Sequence, residues 1–559
     1  CGVLLPVLQK RGGTDQFTFA VDFGTTNSHI EYSVNGGASE PFALTGKESI
    51  LKLWGCVDNQ SKYIFGYDVI PETVGGGSLY KFPMRTALCL SSETNWNKAV
   101  YALGHTNIPF PYEKKRGYAY DRVLTDLKWS NDHDNIKRIR SYMESLFMIL
   151  RAKVLLNNGS LAKTKIVWFY PISMVESRYN SFSDEWRKAY EKYFGGDRRN
   201  VIPMTESVAP YEHYRNSEAN VGNIVTIDIG GGTTDIVLAN DGEVRHITSF
   251  HFAADSIFGD PYVTNRSASS VNKLLVQYEP AIRSVLSANS LSDLEDILEQ
   301  NVRSRNSGNI ASFYFSLRDN TEIGAKRLTE NVDFNKMLQL DAHYKIVFVI
   351  FYAAIIYHLA KIMRAKGEAM PRHIAFSGNG SKVIRVLTSS DSTLEKFTKK
   401  IFEKIYGEKY PSDGLTILQN ADNPKEVTCK GGLSHPERQE YDEVASAKIV
   451  YKAAGDGSSS FVGSETYGDI DEAYLVATVG EVRNFLGFVF DLNREFSFKN
   501  NFDSSEASLA VAREECVRDL LTYLKNGLEK KRREVSASDR VEETLFFYPL
   551  SGVLNALIT

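Results

Sequence analysis

Two stretches of this chain are one design used twice: Phe19-Ala20-Val21-Asp22-Phe23-Gly24-Thr25-Thr26-Asn27 and Ile227-Asp228-Ile229-Gly230-Gly231-Gly232-Thr233-Thr234-Asp235. In each, an apolar strand carries an aspartate at its end, a turn of glycine and threonine follows, and a second strand leaves the turn. Phe17, Phe19, Val21 and Phe23 alternate before the first turn, and Ile30, Tyr32 and Val34 resume the period of two after it, which predicts a hairpin. Glycine lets backbone come close to an anion and threonine adds a hydroxyl donor, so such a turn can aim several N–H groups at phosphate oxygens. Two copies facing each other would clamp a nucleotide.

The segments around the hairpins read as an α/β chain. Residues 136–154 keep helical spacing through Ile139, Met143, Leu146, Phe147 and Leu150. Residues 166–170 form an apolar strand stopped by Pro171, and a helix with Tyr179, Phe182, Trp186, Ala189 and Tyr193 on one face follows. With a strand at 201–204 this is a crossover unit, so the sheet is at least partly parallel. Residues 260–340 read as helix-rich and polar, without a clear core signal. The longest apolar run, 346–357, falls short of the roughly 18–20 residues a membrane span needs and reads as a helix buried on all sides. A strand at 372–376 then enters Ser377-Gly378-Asn379-Gly380-Ser381-Lys382, a glycine turn opening a helix and a third ligand-facing loop. Residues 455–460 read as a loop or hairpin tip. Residues 508–525 read as one long helix ended by Gly527, with the basic run 530–533 as its solvated end.

A chain of 559 residues, 43% apolar and 24% charged, is an ordinary soluble protein with room for more than two domain-sized cores. Its formal net charge of −4 gives no basic footprint for nucleic acid and no polybasic membrane patch, so the expected partners are small molecules or proteins. Cys1, Cys56, Cys89, Cys429 and Cys516 form no CxxC pair, which argues against a zinc ribbon or a disulfide framework and for reduced core thiols in a cytoplasm. The chain opens at Cys1 with an apolar stretch and no methionine, which reads as a trimmed start or a missing upstream segment.

At these residues the chain resembles the actin-like ATPase superfamily, which includes the DnaK-type seventy-kilodalton heat-shock chaperones, actins and sugar kinases. The likeness covers residues 17–433 through five motifs in the family's order. Asp22 to Asn27 is similar to the first phosphate motif and Asp228 to Asp235 to the second. Thr205-Glu206-Ser207-Val208-Ala209-Pro210 sits where the first connecting helix belongs, and Ser377 to Lys382 is similar to the adenosine motif. Asn423-Pro424-Lys425-Glu426-Val427 through Gly431-Gly432 is similar to the glycine-ended close of the chaperone ATPase domain. Gly-Thr-Thr-Asn followed by Gly-Gly-Gly-Thr-Thr-Asp leans toward the chaperones. The chain departs at Asn379, between the adenosine glycines, and at Glu206-Ser207-Val208-Ala209-Pro210, where the family has Glu-Pro-x-Ala-Ala. Residues 433–559 are too few for the family's peptide-binding sandwich and lid, so peptide binding is not carried over.

The resemblance implies ATP or ADP held by Gly24, Thr25, Thr26 and Asn27 on one side and Gly230, Gly231, Gly232, Thr233 and Asp235 on the other, with Gly378, Asn379, Gly380 and Lys382 at the adenosine. Mg2+ keeps several waters and takes one or two carboxylates, which Asp22 and Asp228 could supply; each could also simply cap its turn. Glu206 is the family's water-orienting acid, although a carboxylate opening a helix is equally expected from the helix dipole. Lys81 is the candidate phosphate cation with Arg85 second, and a solvated surface lysine is the alternative for Lys81. Glu322, Lys326 and Arg327 could flank adenine as in the chaperones, but Glu322 and Lys326 four apart read first as a surface ion pair.

The expected fold is therefore α/β: a two-lobed actin-like ATPase with duplicated ribonuclease H-like lobes and an α-rich C-terminal extension. Its parts are an apolar segment at 1–16, a first lobe at 17–220 with an insertion at 46–155, a second lobe at 221–433 with an insertion at 256–340, and an extension at 434–559. The lobes would hinge at 206–211 and at the helix before Arg372, with nucleotide and Mg2+ at the base of the cleft. The expected activity is a slow ATPase whose closure controls a protein client or partner. A filament-forming ATPase is the alternative, and a small-molecule kinase is a weaker one. The apolar segments 474–479 and 485–490 are expected to pack back onto the second lobe.

Overall fold

A computed structural model describes residues 13–43, 82–90, 94–103, 105–108, 123–130, 133–217, 222–260, 271–412, 414–419, 424–434 and 465–558. Both hairpins form as the alternation requires. Strand β1 (Phe17–Phe23) pairs antiparallel with β2 (Asn27–Val34), which carries a short edge strand β3 (Glu40–Pro41). On its other side β1 runs parallel to β4 (Lys165–Tyr170), and β4 runs parallel to β5 (Val201–Thr205). The second sheet uses the same plan. There β6 (Asn223–Ile229) pairs antiparallel with β7 (Thr234–Asn240), and β7 with β8 (Glu243–Phe250). On the far side of β6 lie β9 (His373–Ser377) and β10 (Thr416–Gln419), both parallel.

The strand orders are thus β3-β2-β1-β4-β5 and β8-β7-β6-β9-β10, each a three-stranded antiparallel meander extended by two parallel strands. Each parallel strand is reached through helix, because a parallel neighbour needs a crossover that a tight turn cannot supply. In the first half the crossovers are Asn135–Leu156 and Glu176–Tyr193, the latter burying Phe182, Trp186 and Ala189 against the sheet. The molecule is mixed α/β with two mixed sheets.

In the second half, Lys345–Ala365 lies in the middle of the core, apolar on all faces and almost entirely covered. It and Glu472–Phe496 are long and apolar enough to cross a membrane by length and composition, with 94% and 39% of their most apolar windows buried within the protein.

Four expectations change. The stretch assigned no core signal supplies much of the second core: Lys273–Ala288 buries Leu274, Leu275, Tyr278, Ile282 and Leu286, with charges confined to its outer face. Residues 508–525 do not form one helix, because Glu506–Glu515 ends before a second helix, Leu520–Arg532, begins. Gly527 lies inside that second helix rather than at its end, and a side chain there would stand 2.9 Å from Tyr548 Cβ, so this glycine permits a close crossing with the helix Phe547–Leu557. The basic run is not wholly solvated either: Lys531 is buried and pairs with Glu543 Oε1 at 2.9 Å.

The C-terminal helices close onto the second sheet. Phe485, Phe490 and Phe547 belong to the same continuous core as Ile227 and Phe250, and the rings of Phe250 and Phe547 stack at 4.0 Å. Cys89, Cys429 and Cys516 are buried; Cys1 and Cys56 lie outside the described residues, as do 455–460.

Candidate functional site

Asp22 stands one residue before the end of β1, opposite His29, and Asp228 stands at the matching place in β6, opposite Asp235. The turns that follow them face each other. A methyl group on Gly231 would lie 2.4 Å from Thr26 Oγ1, and one on Gly232 would lie 3.3 Å from Thr25 Oγ1. Residues of the two turns therefore approach within side-chain contact across the junction of the sheets.

The third loop packs on the second turn. Gly378 has φ +76°, in the left-handed region, and a Cβ on it would meet Asp228 Oδ1 at 2.2 Å; one on Gly380 would meet Gly230 O at 2.2 Å. Only glycine satisfies both the conformation and the space at Gly378. Asn379–Lys382 is a single 3-10 turn running into the five-residue helix Val383–Leu387, shorter than the helix its apolar spacing suggests.

Two helices cross between the sheets: Val208–Ser217 after β5, and Pro424–Ser434 after β10. They meet at Gly431, where a Cβ would fall 1.7 Å from Ala209 O. The second connection is thus Pro424–Ser434, and the helix before Arg372 is instead core of the second half. Lys425 and Thr428, three residues apart on one helix face, reach one base aspartate each. Lys425 Nζ pairs with Asp22 Oδ2 at 2.5 Å, and Thr428 Oγ1 donates to Asp228 Oδ2 at 2.8 Å, an oxygen that also accepts from Ser377 Oγ at 3.1 Å.

A further segment enters from the first-half insertion. Lys128, almost fully buried, pairs with Glu206. Trp129 Nε1 donates to Thr25 Oγ1 at 2.9 Å, and its ring meets His251 edge-on at 4.9 Å. Arg178 holds this segment in place by donating to Lys128 O at 2.8 Å.

Four carboxylates, Asp22, Glu206, Asp228 and Asp235, therefore face two ammonium groups, Lys128 and Lys425. The surplus negative charge shows in their acidities. Burial, with Asp22 and Glu206 adding to it, pushes Asp228 up to about 7. Burial, then Glu206 and Asp228, push Asp235 well above the usual carboxylate range, and its Oδ1 has no hydrogen-bond partner among the described residues. Burial also raises Glu206 despite Lys128. For Lys425 burial works against the charge, but Asp22, Asp228 and Glu206 outweigh it and its pKa is raised.

Of the residues expected from sequence, the structure brings together Asp22, Gly24, Thr25, Thr26, Glu206, Asp228, Gly230, Gly231, Gly232, Asp235, Gly378 and Gly380, with Asn27 opening β2 and Asn379 and Lys382 on the turn after Gly378. Thr234 is a strand residue whose Oγ1 donates to Phe252 O at 2.6 Å. Lys81 lies outside the described residues. Arg85 does not turn to the two glycine–threonine turns: its guanidinium donates to Gly308 O at 3.2 Å and to Asn309 and Ser312, binding the first half to the helix Ser307–Ser316. The Glu322–Lys326 pair is not made. The helix Thr321–Ala325 ends too early, and Lys326 donates to Asn289 O at 2.8 Å.

Lys128 and Trp129 had no signal in the sequence, and Lys425 and Thr428 stood in a recognised motif without a role. The i, i+3 spacing of Lys425 and Thr428 is the one clue that could have paired them.

Asp22 Oδ2 already holds an ammonium, and Asp228 Oδ2 accepts from two hydroxyl groups. In this arrangement the oxygen of Asp22 that a divalent cation would share with Asp228 carries an ammonium instead. No protein-family model matches the chain, and no curated protein matches it.

Proposed function

We propose that this chain is an ATP-binding protein of the actin-like, two-lobed kind, similar to the chaperone ATPases, which hydrolyses ATP slowly and whose nucleotide state sets the closure of its halves on a protein partner. The observation that carries this reading is the pair of glycine–threonine turns meeting across two sheets of identical strand order, with a carboxylate at the base of each.

The N–H groups and hydroxyls of the two turns bind phosphate oxygens, each half contributing one turn. Glu206, oriented by Lys128, directs a water toward the terminal phosphate, and Lys128 and Lys425 offset the charge of the phosphates. Because one ligand touches both turns, binding couples to the angle between the halves through the crossing helices Val208–Ser217 and Pro424–Ser434.

Calorimetric titration with ATP and ADP, followed by phosphate release, tests the reading. One nucleotide per chain is expected, with slow turnover. A chain that binds neither nucleotide would end the reading.

A further inference from the structure

We infer that the ammonium of Lys425 is a tethered counter-cation in the position a divalent metal would take, so that this cleft binds nucleotide phosphates without metal. The inference rests on the nucleotide reading and adds the identity of the cation.

Lys425 Nζ lies 2.5 Å from Asp22 Oδ2, with its side chain only 11% exposed. It also lies 2.7 Å from where a Cβ on Gly24 would be, which sets the charge directly beneath the first phosphate turn. An ammonium has three donors, and Asp22 takes one of them. Mg2+ takes oxygen ligands at about 2.0–2.1 Å, so a metal on Asp22 Oδ2 would stand beside the Lys425 ammonium already bonded to that oxygen, where like charges repel.

The bridging role of a metal is also filled. A cation shared by Asp22 and Asp228 would join the two halves; here one face of Pro424–Ser434 does so, with Lys425 on Asp22 in the first half and Thr428 on Asp228 in the second. The charged groups facing Lys425 are Asp22, Asp228 and Glu206, all acidic, so the lysine stays charged where it stands. Unlike a metal, this cation cannot be removed by a chelator.

Two measurements on the full chain test this. ATP affinity is compared in excess EDTA and in millimolar Mg2+, for the wild type, Lys425→Arg and Lys425→Met. Mn2+ alone is titrated against the same proteins and read by electron paramagnetic resonance.

Wild type and Lys425→Arg should change ATP affinity by less than about threefold between the two conditions, whereas Lys425→Met should need metal by at least about tenfold. Mn2+ should bind tightly only to Lys425→Met, and the added Asp22→Asn substitution should abolish that binding. If wild type loses ATP by tenfold or more in EDTA, or binds Mn2+ tightly in a manner abolished by Asp22→Asn, the inference is overturned while the nucleotide reading stands. If ATP binds under neither condition the nucleotide reading falls, and the Mn2+ titration still decides what occupies Asp22. Should Lys425→Met fail to fold, the wild-type and Lys425→Arg measurements carry the decision.

Discussion

Asp228 shows at the level of one residue how burial and like charges combine. Its carboxyl titrates at about 7 in the folded chain against an ordinary 3.8, so between those values the folded state holds a proton that the unfolded state has released. Stability falls with rising pH wherever the folded state binds more protons. The contribution of Asp228 is therefore greatest at the acid end of that window, declines as pH rises, and is gone above about 7. Asp235 acts in the same direction. Melting temperature without nucleotide should fall on going from about pH 5 to about pH 7.5, and Asp228→Asn, which cannot titrate, should flatten that slope. A steeper slope in the variant would contradict the assignment. Glu206→Gln should slow turnover by at least about tenfold with little change in ATP affinity, if its role is to direct water rather than to hold nucleotide.

Among the elements, the helix Pro424–Ser434 does the most with the fewest residues. It crosses Val208–Ser217 through Gly431, and its N-terminal half supplies both contacts to the base aspartates. Gly431→Ala would drive a methyl group into the Ala209 carbonyl, backbone against backbone, so the helices must separate. A loss of about 1–3 kcal/mol or more is expected from overpacking, together with weaker ATP binding as Lys425 is drawn off Asp22. Gly480, inside Glu472–Phe496, is the contrasting case. No atom lies within 4 Å of a Cβ placed there, so Gly480→Ala should stabilise by about 0.5–1 kcal/mol through helix propensity alone. Urea unfolding of the two variants side by side checks both signs.

For the molecule as a whole, the C-terminal helices are part of the second core. Phe547 stacks on Phe250 and Phe252 at 4.0 and 4.8 Å, and Glu543, fully buried, accepts from the backbone N–H of His251 at 2.6 Å and pairs with Lys531. A chain cut after Gly432 should lose solubility and bind a hydrophobic dye, because the faces of Lys345–Ala365 and β8 that these helices cover would be bared. Phe547→Ala should cost about 3–5 kcal/mol, as for other buried aromatic truncations, and Glu543→Ala about as much by leaving Lys531 charged and unpaired. Wild-type stability in the truncated chain would show these helices to be an independent module.

The sequence by itself determined the two hairpins, the crossover strands and the acids at the hairpin bases. Alternation, a glycine turn and an apolar run bounded by proline act over a few residues, where backbone sterics and the two faces of a strand leave little choice. It also determined that residues 346–357 lie inside, since a helix apolar all round has no face for water. Tertiary structure alone decided the charge partners. Lys425 and Asp22 are 403 residues apart, and Lys128 and Glu206 are 78 apart, so no local pattern could pair them. It decided as well that Gly527 serves a helix crossing rather than a helix end, because a glycine's use depends on what approaches it. The cation of the site was hidden for the same reason: a lysine in a helix reads as a solvated charge until the fold sets a buried carboxylate against it.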